Sequence, residues 1–190
     1  MPTATQTFAT GAGGTNWGLI LELSAGPSYG LGLVSGGYDP EAMNFGGGQI
    51  NRGVWELDMA VLVANGYVPG TPLIGGSLTL TLSGNTGAAV KMGLGNSNLG
   101  AAASAIFAAA DDGTDLPGFS GTGAKTYTFS AGTLTAIAAL GGTDKRLIGM
   151  ALNNEGGGGQ VTVDRTVACV LTVEWANSQK SRMMLLGVGG

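Results

Sequence analysis

Apolar and polar residues alternate most clearly at two places in the chain. Over residues 54–61, Trp55, Leu57, Met59 and Val61 fall on one face, and Glu56 and Asp58 on the other. A period of two puts successive side chains on opposite faces, so the run predicts a half-buried β-strand. Residues 77–82 repeat the pattern, with leucines on one face and hydroxyls on the other. Apolar runs predict further strands at residues 17–23, 29–34, 88–94, 125–129, 146–152, 160–164 and 167–175. Gly- and Pro-rich turns separate them, and residues 35–49 read as one long loop. Two stretches suit short helices: 101–108, rich in alanine, and 133–140, capped by Thr133.

About eight to ten short strands at roughly ten-residue spacing, with one or two helical turns, predict an all-β fold of the jelly-roll or β-sandwich type. No strand–helix–strand alternation suggests a parallel sheet. Residues 1–16 carry almost no large side chains and read as a flexible N-terminal arm. The sandwich is expected over 17–176, followed by a tail over 177–190 that is apolar at Met183, Met184, Leu185 and Leu186. Phe8 in the arm and these four tail residues are the candidate partner contacts.

Composition removes several classes of function. The chain has 190 residues, no histidine and one cysteine. Within it there is no Ser-His-Asp triad, no Cys-His dyad, no His-ligated metal and no internal disulfide. Cys169 sits in an apolar run and reads as a buried, inert thiol. The net charge is −4 and the eight basic residues are scattered, which argues against a nucleic-acid partner. No run reaches the roughly 18 apolar residues of a membrane helix, and the start has no secretory pattern. Glycine is abundant, 37 of 190 residues, without the three-residue period of collagen. Residues 118–126 look like a phosphate loop but have Ala124 where the lysine belongs.

The chemistry that remains is modest. Asp111, Asp112 and Asp115 share a Gly-containing loop and supply the oxygen ligands calcium needs, but not at EF-hand spacing. The plainer reading is a solvated turn, so no cofactor is expected and calcium is the alternative. Glu56 with Asp58, or Glu155 with Glu174, are the only evident carboxylate pairs for glycoside hydrolysis, and nothing sets one opposite the other. No enzymatic activity is therefore expected. Among the aromatics, Trp55 and Trp175 belong to alternating strands and suit a core. Tyr38 and Tyr67 fall in loops and are the candidate glycan contacts.

Several segments stand in a familiar order: Tyr29-Gly30, Arg52-Gly53-Val54-Trp55-Glu56-Leu57-Asp58, Pro69-Gly70 leading to Ser77-Leu78-Thr79-Leu80, Tyr127-Thr128-Phe129, Leu147 to Leu152, and Leu171-Thr172-Val173-Glu174-Trp175. Over residues 28–176 this resembles the jelly-roll modules named after a DNRLRE motif, which are similar to β-sandwich carbohydrate-binding modules. The six-letter motif itself is missing, so the resemblance implies the fold and no functional residue. In style, the chain also resembles virion proteins of tailed phages: low charge, much Gly, Ala and Thr, an arm and an apolar tail. That resemblance implies a non-enzymatic capsid decoration or cement protein made in a host cytoplasm and carried on the virion. Its expected partners are other virion proteins, major capsid or tail, in a homo-oligomer or lattice. The alternative is a carbohydrate-binding or adhesion module, or a fibre component for host recognition.

Overall fold

The computed structural model describes residues 1–24, 27–44 and 49–176. The described residues form eleven strands: β1 (Thr3–Phe8), β2 (Trp17–Ser24), β3 (Pro27–Leu33), β4 (Glu41–Asn44), β5 (Ile50–Asp58), β6 (Leu73–Asn85), β7 (Val90–Gly95), β8 (Gly123–Thr128), β9 (Lys145–Leu152), β10 (Gly159–Val163) and β11 (Cys169–Trp175). Three short helices interrupt them: α1 (Met59–Ala64), α2 (Ala103–Ala109) and α3 (Ala131–Ala138). None is long and apolar enough to cross a membrane. The protein is an all-β sandwich in which every strand pairing is antiparallel.

One layer runs β1-β11-β6-β8 and the other β3-β2-β5-β9-β7. β6 holds them together. Its first half pairs with β11, and its last residues pair with β10. β10 then pairs with β4, and β4 with β5, so the two layers are continuous at one corner. At another edge a side chain replaces a ladder. β2 starts at Trp17, opposite Trp55, and the edge of β5 runs on beyond it. Gln6 of β1 takes that edge: its Nε2 donates to Glu56 O at 2.7 Å and its Oε1 accepts from Asp58 N at 2.9 Å.

The core lies between the layers, with Phe8, Trp17, Trp55, Leu57, Leu78, Leu80, Leu82, Leu171 and Val173 all buried. The expected alternation of residues 77–82 is present here as Leu78, Leu80 and Leu82. A second cluster sits outside the sandwich, where α2 packs Ile106 and Phe107 over Ile20, Val54 and Leu147. This contact requires glycine. A Cβ on Gly149 would stand 2.3 Å from Ala110 O, and one on Gly95 would stand 2.2 Å from Ala109 O.

Several expectations are corrected. Residues 3–8 are not an arm: they pair along the whole of β11 and bury Ala4, Gln6 and Phe8. The strand expected over 54–61 ends at Asp58, whose carboxylate accepts from Ala60 N at 2.9 Å and caps α1. The remainder of β5 is buried on both faces, because α2 and the chain before it cover the Glu56 side. The loop expected over 35–49 contains β4. The cap of α3 is Ser130, not Thr133: the Ser130 hydroxyl accepts from Thr133 N at 3.2 Å.

Candidate binding surfaces

The three aspartates expected as a calcium loop do not converge. Asp111 faces two cations, with Lys91 Nζ at 2.8 Å and Arg52 Nη2 at 3.5 Å. Asp112 accepts from Asn96 N at 3.2 Å. The Asp115 backbone bridges to Met92, which turns its carboxylate elsewhere. There it accepts from the Tyr127 hydroxyl at 2.6 Å, the Thr133 hydroxyl at 3.2 Å and Ser130 N at 3.4 Å. Burial pushes the Asp115 carboxyl up, but these hydrogen bonds outweigh it and hold it below its ordinary value. The same burial, with the carboxylate beside it, raises the Tyr127 phenol. Among the described residues no three His, Cys, Asp or Glu gather as a metal site would need.

The carboxylate pairs are likewise committed. Glu56 and Asp58 do point together, but they clamp Lys145 Nζ at 3.1 and 3.2 Å, and Glu56 also accepts from Leu99 N. The bonds to Glu56 and Asp58 raise the Lys145 ammonium above its ordinary value. Glu155 is not near Glu174. It forms a bidentate pair with the buried Arg52, Nε to Oε1 at 2.7 Å and Nη2 to Oε2 at 2.8 Å. Arg52 also donates to Phe107 O at 2.7 Å, and its guanidinium lies 3.8 Å from the centre of the Phe107 ring. Cys169 is buried as expected, and burial pushes its thiol up to about 12.

Among the aromatics, Trp17, Trp55, Tyr67 and Trp175 are buried. Tyr67 is therefore no glycan contact. The connection after α1 folds back over the end of the sandwich, setting the Tyr67 ring edge-on to Trp175 at 5.4 Å, and its hydroxyl donates to Thr71 O. Tyr29 packs on Phe107 at 5.1 Å. Tyr38 is the exception at 50% exposed. Its ring lies on Gly32, where a Cβ would come within 2.6 Å of Cγ, 2.8 Å of Cδ1 and 3.0 Å of Cδ2. Three ring atoms at nearly equal distance mean a face-on contact. Its chain neighbour Gly37 lines a groove of about 390 Å³ between the 3-10 turns at Gly11–Gly13 and Val34–Gly36 and the turn at Arg165.

A second surface is apolar. α1, the chain after it and the start of β6 expose Val61, Val63, Val68 (62%) and Ile74 (50%). Val63 and Pro69 both approach Gly142. Next to them a cavity of about 380 Å³ is walled by Pro72, Leu73, Ala138 and Ala139. Trp175, the last residue of β11, is paired with Leu73 at this same place. The expected contacts Met183, Met184, Leu185 and Leu186 lie outside the described residues, and Phe8 is fully buried in the core.

Sequence reasoning missed the Arg52 network and this apolar face. Arg52 carried a signal, a charged residue inside an apolar strand. The face carried little, since Val63, Val68 and Ile74 fall at no regular spacing within residues 63–74. No protein-family model, curated protein or solved structure matches the chain.

Proposed function

We propose that the protein is a non-enzymatic structural component of a viral particle, of the capsid decoration or cement kind found in tailed phages. It binds neighbouring subunits of its own kind, and through them major capsid or tail proteins. The observation that carries this reading is the exposed apolar face of α1 and the start of β6, including Val68 and Ile74. Val61, Val63, Val68 and Ile74 are all exposed within residues 61–74, and clustered apolar exposure of this kind marks interaction sites. Closed symmetric assemblies multiply such modest contacts.

Two further features support the reading. The carboxylates that the sequence pairs for acid–base chemistry are held by Lys145 and Arg52, and Asp115 is hydrogen-bonded to Tyr127. The chain carries few charges, 20 in 190 residues, so close packing against a neighbour desolvates little. Density-gradient fractionation of particles from cells that make the chain tests the assignment. The protein is expected to band with the particles in stoichiometric amount. Its recovery only in the soluble fraction would overturn the reading.

A further inference from the structure

We propose that Tyr38 and the groove beside it form a binding site for a neutral saccharide. The ring is the starting point. One face is laid flat against Gly32, and Gly36 approaches its Cδ2 and Cε2 edge at the same side. Half of the residue is exposed to solvent. A ring fixed in this way presents apolar area and loses little conformational freedom when a ligand stacks on it. The C–H face of a pyranose is the chemistry that matches such a platform.

The groove supplies the polar half of the recognition. Tyr38 follows Gly37, which lines it, and precedes Asp39, which ties down its far wall at Arg165. Its volume, about 390 Å³, falls within the range of small-ligand sites. Thr10, Ser35 and Thr166 line it together with Ala12 and Val34, and the Thr166 hydroxyl also donates to Asp164 Oδ1 at 2.6 Å. Hydroxyls both donate and accept, as a polyol requires. The two 3-10 turns are fixed to each other by Ser35 N donating to Gly14 O at 2.9 Å, so the walls are set before a ligand arrives.

Charge selects the class of sugar. Among the described residues Arg165 is the only cation lining the groove, and Asp39 Oδ2 stands 3.0 Å from its Nη1. The site therefore carries no net charge. A phosphate or uronate would compete with Asp39 for the guanidinium, while a neutral sugar leaves the ion pair intact.

This surface is separate from the apolar face, so the two proposals fail independently. The test is affinity electrophoresis and calorimetry of the full chain against an α-glucan, a β-glucan, a mannan and a xylan. Dextran sulfate and inorganic phosphate serve as charged probes. Saturable binding to at least one neutral polymer is expected. Tyr38→Ala should weaken it at least about tenfold, and Tyr38→Phe should keep it within about threefold, because stacking needs the ring and not the hydroxyl. Matching circular dichroism spectra would establish that both variants fold. Failure of every neutral polymer to bind, unchanged affinity in Tyr38→Ala, or tighter binding to either charged probe would overturn the proposal.

Discussion

Arg52 is held at every nitrogen of its guanidinium. Nε and Nη2 grip the Glu155 carboxylate, Nη1 reaches Phe107 O, and the plane rests on the Phe107 ring. One side chain thus ties β5 to α2 and to the turn after β9. Arg52→Ala would leave Glu155 without its partner and Asp111 with Lys91 alone. We expect a loss of about 3 kcal/mol, read from the shift of the urea midpoint at unchanged slope. Arg52→Lys should recover little of it, because a single ammonium cannot reproduce the fork. A midpoint within error of the parent would contradict this account of the network. Little of it was legible in the sequence. A charged residue in a strand invites a partner, but Glu155 lies 103 positions away, and only the fold brings the two together. Tyr67 failed for a related reason. Its loop position is real, but the loop folds inward over Trp175.

At the scale of elements, strands read well wherever a large apolar residue recurs every second position. β6, β9 and β11 were legible for that reason. β1 was not. Its inward positions are Ala4, Gln6 and Phe8, so only one large side chain marks its buried face. Gln6 is inside because it completes the open edge of β5, a task that needs both a donor and an acceptor. β4 is four residues long, too short for a period to appear. A strand that closes an edge should matter to stability as a free arm does not. Removing residues 1–8 is expected to lower stability by at least about 3 kcal/mol, from loss of the Phe8 ring alone. Thermal and urea unfolding measure it directly. A truncated chain as stable as the parent would restore the flexible-arm reading.

At the scale of the whole molecule, the sandwich buries most of its sequence-evident apolar residues and leaves several exposed about α1 and the start of β6. Val61, Val63, Val68 and Ile74 are drawn from a helix, a connection and a strand start. No window of sequence contains them as a pattern, which is why the fold class was legible and this surface was not. The claim that most needs testing is that this face joins copies of the chain. Sedimentation velocity over a wide concentration range, on the parent and on the double variant Val68→Asp with Ile74→Asp, addresses it. Both positions are exposed, so the variant should fold like the parent by circular dichroism. The parent is predicted to associate as concentration rises, and the variant to remain a monomer of 18.8 kDa. A parent that stays monomeric throughout, or a variant that associates equally well, would contradict the assignment of this face as the assembly surface.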